Sequence, residues 1–310
     1  MSAILVTGAT GNVGALVVAE LLARGADVRA AVRTGGRGAV PASLPAGEGE
    51  AAAAAATGKA ATGAAAAPTV AFDFEAPSTF AGALAGVSRV FLLRPPRMSD
   101  ATLMRPFIDA MAAAGVEQVV FLSVQGAGTN PFVPHHGIER YLRTSGLGWT
   151  LLRPSFFMQN LSTTHLADIR ERDEVFVPAG KGRTNFIDVA DIAEAAAVVL
   201  TEPGHLGRAY ELTGTEALTY DEVAARLSHA CGRTIEYARP SRKEFAARMK
   251  AAGHDDEFVS VMGAIYLIAR LGMAAGTTGE LERLIGRPPT TFAQFADRNA
   301  ACFNREGQTS

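Results

Sequence analysis

The chain has 310 residues, 48% hydrophobic and 19% charged, with a formal net charge of −2. That length suits one large domain or a core with a smaller lobe, and the balanced charge lacks the basic excess that grips nucleic acid. Two cysteines, Cys231 and Cys302, are too few for a disulfide framework and show no metal-ligand spacing; both are read as buried apolar residues, and no metal site is expected.

The segment AILVTGATGNVGALVVAELLARG opens the pattern. Ile4 to Val6 read as a short buried strand. Gly8, Gly11 and Gly14 follow with the spacing G-x-x-G-x-x-G. Val13, Leu16, Val17, Leu21 and Leu22 then recur at helical spacing up to Gly25, a helix stop. Strand, glycine turn and helix together are the context a dinucleotide site needs. Glycine permits the sharp turn and the close approach of a pyrophosphate, and the helix N-terminus presents free N–H groups to it. No leader segment is expected ahead of Ala3. The late apolar stretch VSVMGAIYLIARLGM is too short for a bilayer span and is broken by Arg270, so a soluble, cytoplasmic protein is expected.

ADVRAAVRT predicts a second strand ending near Arg33. A site for NAD would place Asp or Glu there; this chain has Arg33, then Arg37, and no acid until Glu48. A guanidinium matches a 2′-phosphate bidentately, which points to NADPH. Residues Ala46–Pro68 are alanine-rich and low in complexity, and read as a surface insertion between the second and third strands. The alternation then resumes. PTVAFDF is strand three, APSTFAGALAGV a helix and RVFLLRPP strand four. A helix follows within SDATLMRPFIDAMAAAGV, capped by Ser99 or Asp100, with Pro106 set to bend it or delay its start. EQVVFLS is strand five, HHGIERYLRTSG a helix and WTLLRP strand six.

This succession predicts an α/β, Rossmann-type doubly wound parallel sheet. Its ligand should lie beyond the carboxyl ends of the strands, where Thr7, Arg33, Asp73, Arg94, Ser123 and Pro154 would ring one cleft. The expected core is residues 1–155 and 184–213. Residues 156–183 and 214–310 form a smaller substrate-binding or lid part. Within it, Thr219 with Glu222 and Ser241 with Glu244 read as capping boxes. Two helices joined by GHDD read as a hairpin that either covers the cleft or packs on the sheet edge. Phe156, Phe157, Met158, Val261, Met262, Ile265 and Tyr266 suggest an aromatic substrate space.

Taken in order, VTGATGNVG, LLRPP, FLSVQGAG, H-x-x-x-E-R-Y-L-R-T-S-G, WTLLRPSFFMQN, FIDVADIAEAA and GRPPTTFAQFA resemble the NmrA-like branch of the atypical short-chain dehydrogenase/reductases. The likeness runs from Ala3 to about Phe303, outside the alanine-rich stretch. That branch holds triphenylmethane reductase-like and quinone oxidoreductase-like enzymes, and nitrogen regulators that only sense dinucleotides. The resemblance implies that Gly8, Thr10, Gly11, Asn12, Val13 and Gly14 form the pyrophosphate turn and that Arg33 faces the 2′-phosphate. It sets Asp73 and Phe74 beside the adenine, and Leu93, Arg94 and Pro95 along the nicotinamide-side ribose. Ser123 matches the usual short-chain serine. Pro154, Ser155, Phe156 and Phe157 form the loop that closes on the nicotinamide, and Asn160 lines the substrate pocket.

One departure stands out. His135 and Glu139 fall where the resemblance would place tyrosine and lysine, and none of the five tyrosines has a lysine four residues on. In the standard enzymes the lysine lowers the phenol's pKa and the phenol supplies the proton. Here His135 either donates that proton or binds cofactor ribose, or the substrate stabilises its own oxyanion through an internal hydrogen bond. The reading is an NADPH-dependent reductase of an aromatic carbonyl or quinone, acting as a monomer or homodimer. Abundant alanine and arginine with only four lysines point to a GC-rich genome and to a secondary-metabolite ketone, such as an aromatic polyketide. The alternative is a dinucleotide sensor without turnover. Epimerase or dehydratase chemistry is the weaker reading, because those relatives need the tyrosine and lysine.

Overall fold

A computed structural model describes residues 2–33, 67–95, 98 and 100–305. Twelve strands form among the described residues: β1 (Ala3–Val6), β2 (Val28–Val32), β3 (Thr69–Ala71), β4 (Val87–Leu93), β5 (Gln118–Leu122), β6 (Gly148–Pro154), β7 (Phe156–Phe157), β8 (Glu174–Val175), β9 (Arg183–Ile187), β10 (Arg208–Leu212), β11 (Ala217–Thr219) and β12 (Glu236–Tyr237). The chain divides into two compact units. The first takes in Met1–Pro154, Val189–Leu212 and Glu280–Arg287; the second takes in Ser155–Asp188, Thr213–Gly279 and Pro288–Ser310.

The first unit is built on a seven-stranded sheet in the order β10-β6-β5-β4-β1-β2-β3. Every neighbouring pair in it is parallel. Its central strands β1, β4 and β5 carry apolar residues on both faces, as a sheet covered by helices requires. Leu5, Val90, Leu92, Val119, Phe121 and Leu151 join the helices Phe80–Leu84, Arg105–Ala113 and Pro134–Thr144 in one core cluster. The alternating residues Ile4, Val6, Phe91, Val120 and Leu152 are buried too. The helices Asn12–Ala23 and Val189–Thr201 pack against each other. Strand order reverses between β1 and β4, the switch point at which such sheets bind ligands.

Local expectations resolve cleanly. Pro106 delays its helix: a 3₁₀ turn, Ala101–Met104, comes first, and Asp100 caps it by accepting from the Thr102 N–H at 2.8 Å. The alanine-rich stretch lies outside the described residues except for its last two. Those two belong to the sheet: Ala67 is buried, and the Pro68 carbonyl accepts from Ala30 N–H at 2.9 Å. The described chain resumes there, at the edge of the sheet. The cysteines differ slightly from expectation, both being free and half-buried.

The unit boundaries also depart from the sequence reading. β9, expected in the core, pairs with β7 and β11 in the second unit. Residues Glu280–Arg287 return to the first unit, where the Glu280 carboxylate accepts from Glu211 N–H at 2.5 Å and Arg287 pairs with the buried Asp191 at 2.7 Å. A strand's apolar pattern shows that it is buried but not which partner it will find.

The second unit has an aromatic core in which Phe156, Phe186, Tyr220, Phe245, Tyr266 and Phe292 pack ring to ring in edge-on and tilted pairs. Both predicted capping boxes form, Thr219 with Glu222 and Ser241 with Glu244. The predicted hairpin consists of the helices Arg242–Ala251 and Asp256–Arg270, with Lys250 and Asp256 paired at 2.5 Å between them. Among the described residues no helix is long and apolar enough to cross a membrane.

Candidate active site

Because every strand of the main sheet runs the same way, the residues that follow β1 to β6 gather at one edge. At the centre is the glycine turn. Gly8 has φ +63°, a backbone conformation that glycine adopts without strain. Gly14 sits against the turn itself: a Cβ built there would lie 2.2 Å from the Gly8 carbonyl oxygen. The helix that follows, Asn12–Ala23, has no side-chain cap and no acid in its first turn. Its leading N–H groups and positive dipole end are thus left to an anion. Thr7 anchors the turn to β4. Its hydroxyl donates to Phe91 O at 3.1 Å and accepts from Leu93 N–H at 2.8 Å. This cradle fits a pyrophosphate, with a backbone too close for a side chain at Gly14 and a helix start without a side-chain cap.

Arg33 stands exposed just past β2 and makes no ion pair or hydrogen bond with another described residue. Arg37 lies outside the described residues. Past β3, Asp73 accepts from Glu75 N–H at 3.0 Å, and Phe74 packs edge-on against Phe72 and Phe107. Past β4, the Arg94 guanidinium holds its own loop, donating to Pro95 O at 3.1 Å and Met98 O at 2.6 Å. Its Nε donates to His135 Nε2 at 3.4 Å.

That contact adds to the effect of burial on His135. Burial, with the neighbouring Arg94 cation second, pushes its pKa down to about 3, and Glu139 only partly opposes this. At neutral pH it is an uncharged imidazole whose Nε2 is an acceptor. The next residue, His136, anchors the same helix start through Nδ1, which donates to Ala127 O at 2.8 Å.

Beside it runs an ion network that the sequence reading did not foresee. Ser123 Oγ donates to Glu139 Oε1 at 2.6 Å. Arg153, from β6, grips both oxygens of that carboxylate, at 2.9 and 2.6 Å, and reaches Glu211 Oε1 at 3.1 Å. Gly128 lies so close to the Arg153 guanidinium that a Cβ there would approach it to 2.6 Å. Burial raises the Glu139 pKa, but the hydrogen bonds from Arg153 and Ser123 outweigh that and hold it below the ordinary glutamate value. On Glu211 burial prevails, and its pKa is raised. The guanidinium charge is thus spent mainly on Glu139. The one signal available in the sequence was Arg153 itself, a charge inside the apolar strand GWTLLRP.

In the second unit, Ser155 Oγ donates to Asn185 Oδ1 at 2.8 Å. Phe156, Phe157 and Asn160 are half-buried. Phe156 packs on Phe186 and Tyr266, and the Asn160 carbonyl accepts from His165 N–H at 3.1 Å. Tyr266, expected to line an open aromatic space, is fully buried, and its hydroxyl shares a 2.5 Å hydrogen bond with His165 Nε2.

The model of the NmrA-like family matches residues 1–269. The chain belongs to this family. It is similar to an NAD(P)H azoreductase from Xenophilus azovorans, 36% identical over 76% of this chain and 83% of that one. It is also similar to quinone oxidoreductase 2 from Escherichia coli, 32% identical over 72% and 79% of the two chains. Among solved structures, triphenylmethane reductase from Citrobacter sp. complexed with NADP(H) matches with a TM-score of 0.76 at 27% identity, over 96% of this chain and 99% of that one. An NADPH-dependent quinone oxidoreductase from Escherichia coli complexed with NADPH matches with a TM-score of 0.77 at 30% identity, over 94% and 98%. The parallel sheet, the glycine cradle and the family agree on a nicotinamide dinucleotide as cofactor.

Proposed function

We propose that this NmrA-like chain uses NADPH to reduce a quinone or ketone of a small aromatic molecule, and that the substrate manages its own proton. The chain is an NAD(P)H-dependent oxidoreductase; its substrate and proton step are the finer reading. Bound NADPH supplies the hydride. The chain's residues bind and orient. Gly8 to Gly14 would hold the pyrophosphate, Arg33 the 2′-phosphate, Asp73 and Phe74 the adenine side, and Leu93 to Pro95 the ribose. Pro154, Ser155 and Phe156 would close on the nicotinamide, with Phe157 and Asn160 against the substrate. Tyr266, with its hydroxyl committed to His165, would support that wall without touching the substrate.

The observation that carries the reading is the 2.6 Å bond from Ser123 to the Glu139 carboxylate. An ionised carboxylate only accepts, so the Ser123 proton is committed to Glu139 and is withheld from an incoming oxygen. His135, neutral and tied to Arg94, is equally ill suited to give one. Substrates that carry an internal hydrogen bond, such as a hydroxylated quinone or an aryl ketone flanked by a phenol, need no such donor. Positioning over the cofactor then supplies much of the rate. An aromatic polyketide ketone is one such substrate. The azoreductase and quinone oxidoreductase relatives support the aromatic class. The reading also places the protein in the cytoplasm, where reduced nicotinamide is at hand.

The test is NADPH oxidation across a panel of hydroxylated quinones and aryl ketones. The reading expects turnover, fastest with internally hydrogen-bonded members. Tight NADPH binding with no oxidation by any member would point instead to a dinucleotide sensor.

A further inference from the structure

The helix hairpin of the second unit encloses a groove of about 410 Å³, lined in part by Arg242, Lys243, Phe245, Val259, Ser260 and Gly263. That volume lies within the usual range for small-molecule sites. Three features of the groove bear on what it could hold.

Gly263 is the first. It stands in the middle of the helix Asp256–Arg270, where glycine is a poor helix former. Nothing forbids a side chain there, since an added Cβ would meet no atom within 4 Å. The helix accepts a weak residue at a place with room for a better one, and the groove stays open because of it.

The second feature is the pair of cations. Arg242 and Lys243 open the helix Arg242–Ala251, at the end where the helix dipole disfavours positive charge. Both are exposed, and neither makes an ion pair or hydrogen bond with another described residue. Of the acids in the hairpin, Glu244 accepts from Ser241 N–H at 2.7 Å, Asp255 caps Phe258 N–H at 2.7 Å and Asp256 pairs with Lys250 at 2.5 Å, while Glu257 is exposed; none of them pairs with Arg242 or Lys243.

The third is the wall. Phe245 and Val259 are buried residues of the unit's core that also line the groove. A single recess thus combines an apolar wall in which Phe245 and Val259 show only their edges, two cations without an ion pair to another described residue, and the Ser260 hydroxyl.

We propose that this groove binds an aromatic anion, a flat apolar body with a carboxylate or sulfonate, ring against Phe245 and Val259 and charge toward Arg242 and Lys243. This site lies wholly within the second unit, shares no lining residue with the dinucleotide cradle, and does not depend on which substrate is reduced. A ring fits the wall because aromatic faces prefer offset or edge-on neighbours. The guanidinium of Arg242 can meet a carboxylate or sulfonate with two parallel hydrogen bonds.

Fluorescence titration of the intact protein with anilinonaphthalene sulfonate, at saturating NADPH, tests this. Saturable binding is expected that NADPH does not displace. The Arg242→Ala/Lys243→Ala double variant should weaken it by about ten-fold or more, and added salt should weaken it in the wild type. Gly263→Leu should abolish binding by filling the groove while keeping the melting temperature at or above that of wild type. An uncharged phenylnaphthylamine should bind wild type and double variant alike. Absence of binding, displacement by NADPH, or equal affinity in Gly263→Leu would each overturn the proposal. NADPH affinity is measured on the same samples, so loss of fold is recognised, and a failure of NADPH oxidation bears only on the reductase reading.

Discussion

Arg153 holds Glu139 by both carboxylate oxygens, and Glu139 in turn accepts the hydrogen bond of the Ser123 hydroxyl. Three elements, β5, β6 and the helix Pro134–Thr144, are thereby tied at the edge where the cofactor cradle opens. Glu139→Leu would leave the mostly buried guanidinium with Glu211 alone. Breaking such a pair from one side costs about 3 kcal/mol, and Glu139→Gln should cost less. The pH dependence has a definite sign. The folded-state pKa of Glu139 is lowered, so its stabilisation is present above the ordinary glutamate value of 4.5 and is lost as pH falls through the folded value. Denaturation of wild type and Glu139→Gln should therefore differ at neutral pH and converge in acid. A gap that stays constant across that range would contradict the assignment.

The buried histidines give a second acid sensitivity. Burial, with further positive charge nearby, lowers His135 to about 3 and His165 to about 4. The unfolded chain takes up protons at both near the ordinary value of 6.5, while the folded chain refuses them until far lower pH. Stability should decline as pH falls from about 6.5 toward those folded values. His135→Gln should flatten that decline in melting experiments. An unchanged slope would mean that His135 is not buried as a neutral imidazole.

Gly14→Ala should fail at the cradle. The new methyl would fall 2.2 Å from the Gly8 carbonyl oxygen, and relief of such overpacking costs about 1–3 kcal/mol while displacing the turn. Calorimetric titration should show NADPH affinity lost beyond the modest drop in melting temperature. Wild-type affinity in this variant would remove the turn from the site.

Much of this fold was legible from the sequence because parallel α/β units announce themselves locally. The run Ile4–Val6, the glycine spacing and the helical recurrence up to Leu22 sit within one continuous segment. The capping boxes at Thr219 and Ser241 are likewise local. What escaped depends on partners far apart in sequence. Glu139 lies beside buried Ile138 and three residues before Leu142, so helical spacing places it on the buried face. Its partner is 14 residues away on β6, and only the register of that strand brings Arg153 beneath it. The same holds for β9, which only its long-range pairing with β7 and β11 places in the second unit. Tyr266 reads equally well as pocket lining or as core on an apolar helix; the 2.5 Å bond to His165 decides for the core.

Arg33 should set cofactor preference. A charge-assisted contact to the 2′-phosphate is worth about 1.5–3 kcal/mol, or roughly ten-fold or more in affinity. Wild type should bind NADPH more tightly than NADH by that factor, and Arg33→Ala should bind the two alike. An unchanged preference in the variant would shift the role to another residue.

Removal of residues 46–66 should leave melting temperature and NADPH affinity nearly unchanged, because closure entropy varies slowly with loop length. Extending the deletion through Ala67 should not be neutral, since that residue is buried beside β2. Equal stability of the two deletions would contradict the boundary.

The most direct test of the central claim is the turnover number of His135→Ala with a hydroxylated quinone at saturating NADPH, alongside the NADPH affinity of the same protein. If the substrate manages its own proton, turnover stays within about ten-fold of wild type. A general acid would be worth about 100-fold to 10,000-fold; a fall of that size with NADPH affinity unchanged would contradict the account.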